Sequence, residues 1–280
     1  MSMRVAPAWP KESDIPANGN PQPSNGEWFA KPPSSALTAA MWATAKVAAG
    51  LQKLNGNRQA DGFGILMFHR VAQHVKGVST PTLNVRPQQF RQQLTGLLSR
   101  GFECWPLKKL VAAHADSLAV PANVFAVTFD DGFENNYVHA WPVLRELNIP
   151  ATIFLATKYL DTEQPFPFDD WAAANSHRTP PAAWRPLTTS QCREMLAGGL
   201  IEFGAHTHSH RRFLGRCGEF QRDMRQCLDV LRDRFGIDRP TFAFPYGVFS
   251  PELIEAAKQF EVACALTTKH QRVRSNHSVY

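Results

Sequence analysis

Six apolar runs of four to six residues recur between residues 64 and 266 of this chain, with amphipathic segments of helical spacing between them. The runs are 64–68 (GILMF), 124–129 (VFAVTF), 151–155 (ATIFL), 200–205 (LIEFGA), 241–244 (TFAF) and 262–266 (VACAL). Strands that are apolar along their whole length are covered on both faces, and strands that alternate with helices pair in parallel. The expected fold class is therefore α/β, with a parallel sheet either closed as a barrel or open and doubly wound.

The intervening segments carry matching signals. After Pro87, residues Phe90, Leu94, Leu97 and Leu98 share one helical face, and Val143, Leu144 and Leu147 mark a second helix. Between Phe220 and Phe235 the stripe Met224, Cys227, Leu228 and Leu231 faces inward, which assigns Arg222, Asp223, Arg225, Asp229 and Arg232 to a solvated side. Ser250, Pro251 and Glu252 supply a cap, a first-turn proline and an early acid ahead of Leu253 and Ile254. Residues 161–185, with four prolines and two tryptophans, fit neither pattern. They read as a long inserted loop, a kind of segment that often carries function.

Residues 1–60 read as a flexible tail, since seven of the 21 prolines fall within the first 35 positions. An Ala-rich stretch at 36–51, interrupted by Lys46, reads as a short helix leading into a domain at 61–280 and not as a well-formed secretory signal. No run reaches the roughly 18 apolar residues that an integral membrane span needs. A net charge of +6 is too mild to identify a nucleic-acid partner, and no basic run with interleaved aromatics accompanies it. The five cysteines form no C-x-x-C pair and are odd in number, so buried or free thiols are expected and not a disulfide framework or a thiolate zinc site.

In parallel α/β folds chemistry gathers at the C-terminal ends of the strands. Three runs end in polar clusters: Asp130, Asp131 and Gly132; His206, Thr207, His208, Ser209 and His210; and Pro245, Tyr246 and Gly247. Adjacent carboxylates after a buried strand raise each other's pKa unless a cation holds them. One can then bind a divalent ion while the other acts as a base; the alternative is that one caps the helix before Phe133 and Tyr137. His206 and His210 share a face if the chain turns helical after the strand, whereas His206 and His208 share one if the strand continues; the first spacing is preferred. Two imidazoles and one carboxylate suit zinc or a similar water-activating metal, and a solvent-exposed polar loop is the plainer explanation of three clustered histidines.

TFDDG (128–132), HTHSH (206–210) and FAFPYG (242–247), in this order and separation, resemble the first three motifs of the polysaccharide deacetylase family, the NodB-homology or carbohydrate esterase family 4 domain. ILMFHRV (65–71), IPATIFL (149–155) and the stretch 187–210 extend the resemblance to residues 63–270. It implies a distorted (β/α) barrel and the removal of acetyl groups from N-acetylglucosamine units of a polysaccharide, with a divalent metal, zinc first among the choices. It further implies Asp130 as general base, Asp131, His206 and His210 as metal ligands, His208 as a non-ligating neighbour, and the Tyr246 backbone N–H as part of an oxyanion hole. Pro245, Tyr246 and Trp171 count as candidate substrate contacts, although Trp171 and Trp184 also suit anchoring of the inserted loop.

Two departures stand out. Many members carry Arg-Pro-Pro-Tyr where this chain has Ala243, Phe244, Pro245 and Tyr246, and that arginine orients the base. The family's late Leu-x-His motif, which supplies a general acid, has no clear equivalent, because His270 follows Leu266 by four residues and not two. His69, after the first apolar run, is a candidate for an acid or substrate-binding role, its plainer reading being a satisfied core or loop histidine. The alternative functions are the same fold acting on another amide or ester, and a non-catalytic glycan-binding module. A base beside a metal argues against the second, since a pure binder needs none.

Overall fold

The computed structural model describes residues 63–268 and Val273; the expected tail at 1–60, the helix at 36–51 and His270 lie outside the described residues. The apolar runs form the strands β1 (Gly64–Phe68), β5 (Val124–Phe129), β6 (Ala151–Leu155), β7 (Ile201–Ala205), β8 (Phe242–Ala243) and β9 (Ala265–Leu266). They pair in parallel in the order β1-β5-β6-β7-β8-β9, and the short β4 (Glu103–Cys104) lies against the start of β5. Another short pair, β2 (Arg70–Val71) with β3 (Asn84–Val85), follows β1. The sheet curls into a half-barrel, so the α/β expectation resolves as a distorted (β/α) barrel.

The sheet is covered on both faces, as its uniformly apolar strands require. Phe125, Val127 and Phe129 face the larger core with Ile153, Leu155, Phe203 and Phe242. Val124 and Ala126 alternate to the other side, where they meet Phe154 and Ala243. Helices α1 (Pro87–Leu98), α3 (Trp141–Leu147), α5 (Thr189–Ala197), α6 (Cys217–Phe235) and α7 (Pro251–Lys258) bury their apolar stripes in the larger cluster. Helix α2 (Leu107–Ala115) places Leu107, Leu110 and Val111 in the smaller one. The cysteines are unpaired: Cys192 and Cys227 are buried in the larger cluster and Cys264 in the smaller.

Local chemistry explains the helix starts. Ser250 accepts the Leu253 N–H, and Thr188 with Gln191 forms a reciprocal capping box that opens α5. Strand β8 is shorter than its apolar run because Pro240 and Pro245 bracket it and neither offers an N–H to a ladder. The inserted segment is more ordered than a loop: it contains α4 (Asp170–Asn175), capped by Asp169 accepting the Ala172 N–H, and two single helical turns. Among the described residues no helix is long and apolar enough to cross a membrane.

Candidate functional site

Strand β5 runs wholly buried to Phe129 and then turns sharply. The Asp130 N–H donates to the Phe68 carbonyl at 2.9 Å, while Asp131 and Gly132 adopt positive φ of 72° and 84°. Gly132 is required there, because a Cβ would stand 2.7 Å from a Leu155 methyl in addition to the backbone strain. The turn separates the two acids, and neither caps a helix through its side chain.

Strand β7 delivers the histidines. The ring of His206 donates from Nδ1 to the Ala243 carbonyl oxygen at 2.9 Å, so its Nε2 faces Asp131 Oδ1 at 3.5 Å. His210 Nε2 approaches the same oxygen at 3.1 Å. The ligand atoms of Asp131, His206 and His210 lie within 4.8 Å of one another, and all three residues are buried. His206 and His210 therefore share a centre, but not through a helix: positive φ at Thr207 (62°) and His210 (54°) folds the segment into a tight turn. Neither the helical nor the extended geometry considered from spacing occurs. His208 points away, its Nδ1 3.0 Å from Thr157 Oγ1.

The charge pattern fits a cation. Asp131 Oδ1 is buried and makes no well-aligned hydrogen bond, although two imidazoles face it. Burial alone would raise the Asp131 carboxyl, but His210, His69 and His206 outweigh it and hold it below the usual carboxylate range. Burial, with His210 adding to it, pushes the His206 imidazole down to about 3, so it is neutral, the form in which an imidazole can donate to a cation. Asp130 behaves oppositely: burial, then the charge of Asp131, lifts its carboxyl well above the usual range. Its Oδ1 is buried without a partner and its Oδ2 lies 3.8 Å from His69 Nε2. His69 thus faces the site and is not a satisfied core histidine; its Nδ1 also lacks a partner.

Arg70 is one residue that sequence reasoning missed. Its guanidinium is buried, paired with Asp169 and seated 4.0 Å above the Phe133 ring. It joins the end of β1 to the inserted segment across 99 positions. The position of the family arginine, Ala243, has its side chain in the smaller core, and Phe244 packs into an aromatic group with Phe220, Phe242 and Phe249. Trp171 donates its indole N–H to the Ser79 carbonyl at 2.6 Å and lies 5.6 Å from Arg70, which anchors the segment. Phe168 of the same segment stacks on the His210 ring at 3.8 Å, and Tyr246, 40% exposed, meets it from another side at 4.6 Å. Pro245 is buried beneath.

The helix carrying Arg222 to Arg232 is not solvated at every charged position. Asp223 is half-buried and turned toward the 206–210 segment. A charged residue next to buried Met224 is the only signal the sequence holds for it.

Comparison with known proteins bears on the fold and the family. A poly-beta-1,6-N-acetyl-D-glucosamine N-deacetylase from Staphylococcus epidermidis is 24% identical over 206 residues, covering 70% of this chain and 65% of that protein, so the chain spans about two thirds of that relative's length. A putative polysaccharide deacetylase from Bacillus subtilis is 23% identical over 217 residues, covering 77% and 68%. Among solved structures, IcaB from Ammonifex degensii superposes with a TM-score of 0.65 at 24% identity over 77% of this chain and 88% of that one. A de-N-acetylase from Aggregatibacter actinomycetemcomitans gives 0.63 at 19% identity over 75% and 89%. The family described as polysaccharide deacetylase matches residues 118–265, more than half of the sequence and inclusive of both the aspartate pair and the histidine turn. The chain belongs to the polysaccharide deacetylase family.

Proposed function

We propose that this chain is a metal-dependent hydrolase that removes acetyl groups from N-acetylglucosamine units of a polysaccharide. The observation that carries the reading is the meeting, at the ends of β1, β5 and β7, of a three-ligand group with a carboxylate and an imidazole that stand beside it and do not belong to it. Relatives named as poly-beta-1,6-N-acetyl-D-glucosamine N-deacetylases favour an exopolysaccharide over a cell-wall glycan.

Asp131, His206 and His210 would hold the ion, zinc being suited to one carboxylate and two imidazoles with positions left open. Such an ion supplies Lewis acidity to the acetamide carbonyl, acidifies a water and offsets the charge of Asp131. Asp130 then accepts the proton of the attacking water as general base. The backbone N–H of Tyr246, which has no acceptor among the described residues, donates to the developing oxyanion; positive φ at Tyr246 (59°) turns that peptide out of the regular strand path. His69, 3.8 Å from Asp130, would protonate the departing amine, the task of the Leu-x-His histidine elsewhere in the family. The ion pair of Arg70 with Asp169 fixes the chain beside His69. Tyr246 offers an exposed ring for the sugar, with Pro245 shaping the turn under it; Trp171, whose N–H is already engaged, offers only its ring face.

The test is acetate release from N-acetylglucosamine oligomers by the purified chain, before and after chelation and zinc restoration. Release that the chelator abolishes and zinc restores is the expected result. Absence of release with zinc bound would shift the substrate to another acetylated compound, or the role to glycan binding.

A further inference from the structure

Between the two histidines that meet Asp131 lie Thr207, His208 and Ser209, which contribute nothing to the ligand group itself. Their backbone is nevertheless tightly specified. The N–H groups of His208 and Ser209 both donate to Asp223 Oδ1, at 2.6 and 3.1 Å, and the Ser209 hydroxyl donates to Asp223 Oδ2. The Tyr159 hydroxyl donates to the Ser209 carbonyl at 3.0 Å and the Lys158 N–H to the His208 carbonyl at 2.9 Å. A single carboxylate with three donors from one turn is a strong, charge-assisted clamp. Among the described residues the Asp223 carboxylate accepts no hydrogen bond from outside this turn.

The turn needs such a clamp. Thr207 and His210 hold positive φ, a conformation that side-chain-bearing residues leave unless the surroundings over-determine it. Release of the turn would swing the His210 ring from its 3.1 Å approach to Asp131. We infer that Asp223 is a positioning residue of the metal centre: it closes the 206–210 turn so that His210 Nε2 returns to His206 and Asp131, and thereby sets the affinity for the divalent ion. The inference rests on the metal reading above, and it gives one acid on α6 a task that its neighbours on that helix lack. Asp229, by contrast, pairs only with Arg232 at the exposed surface.

The measurement is the zinc affinity of the full chain by competition with a chromophoric chelator. Asp223→Ala is expected to weaken zinc binding about 10- to 100-fold, the usual effect of losing a group that orients a ligand. Asp223→Asn retains an oxygen for both backbone donors and is expected to lose less, and Asp229→Asn to lose nothing. With zinc raised to saturate Asp223→Ala, KM for the oligomer should equal the wild-type value and most of kcat should return. A merely structural role would instead lower the melting temperature of the zinc-free protein and leave the affinity of the folded fraction unchanged, and that result overturns the inference. If Asp223→Ala does not fold, unchanged zinc affinity in both Asp223→Asn and Ser209→Ala overturns it equally, while weakening in either supports it. Failure of the wild-type chain to bind zinc at all would refute the metal reading, a distinct outcome.

Discussion

The end of β5 and the end of β7 both carry residues of the site, yet they are held by different means. At β5 the support is main-chain and steric: a buried strand, the Asp130 N–H tied to the Phe68 carbonyl on the neighbouring strand, and a glycine where Leu155 leaves no space for a side chain. At β7 the turn has no glycine; Thr207 Oγ1 accepts the His210 N–H within it, and the carboxylate of Asp223, 14 to 15 positions away on α6, accepts from Ser209 and His208. The first asks of its partners only a strand carbonyl and a bulky neighbour. The second depends on a partner that the motif does not contain, so an intact HTHSH sequence alone does not ensure an intact site.

Substitutions can break this contrast at either end. The largest effect is expected at the proposed ligands and the proposed base. His206→Ala should lose both bound zinc, measured by elemental analysis, and turnover. Asp130→Asn should keep the zinc and lose about 10²- to 10⁴-fold in kcat, the scale of general base catalysis. Retention of zinc by His206→Ala would show that the β7 end is not part of the ion site. A second test concerns the tie between β1 and the inserted segment. Arg70→Met leaves Asp169 buried without its ion partner and should cost about 3–5 kcal/mol in urea unfolding, part of it regained in Arg70→Met/Asp169→Asn, which removes the charge and keeps an oxygen for the Ala172 N–H.

A smaller effect tests whether close backbone packing also supports β7 within the sheet. A Cβ on Gly204 would strike the Phe154 ring and stand 2.9 Å from the Thr241 carbonyl oxygen. Gly204→Ala should therefore cost about 1–3 kcal/mol through overpacking, read as a lower urea midpoint at unchanged slope. The smallest effect belongs to Asp161, at the surface where the inserted segment begins. Thr189 and Arg234 outweigh burial there and lower its carboxyl pKa. The sign follows: the stabilisation is present above the ordinary carboxylate range and fades as pH falls through the depressed value. Since the pair is exposed, Asp161→Asn should change stability by about 1 kcal/mol at most at neutral pH, and by nothing in acid, as thermal melts at two pH values would show.

The strands β1, β5 and β6 are legible in the sequence to the residue, because uninterrupted apolar runs flanked by polar clusters leave few choices. The aspartates and histidines of the site are legible as residue types for the same reason. What escapes is pairing at long range. Arg70 sits in a two-residue strand whose identity depends on Asn84 and Val85, and its ion partner is 99 positions away. Asp223 has the same alternation around it as the solvated acids of α6. Helix α4 hides among prolines, whereas α5 carries a readable start in Thr188 and Gln191, three positions apart. The geometry of the histidine turn is the clearest case: spacing offers helix or strand, and a hydrogen-bonded clamp selects neither.

The unpaired thiols offer a way to watch the two cores separately. Burial pushes both Cys227 and Cys264 up to about 12, and each is sealed in a different apolar cluster. A protonated, inaccessible sulfur reacts with an alkylating reagent only while its surroundings are open. Residue-resolved alkylation rates would thus act as two stopwatches inside one molecule, Cys227 timing the excursions of the helical layer and Cys264 those of the opposite face of the sheet. Equal rates would mean that the half-barrel opens as one unit, and unequal rates that its two faces loosen independently.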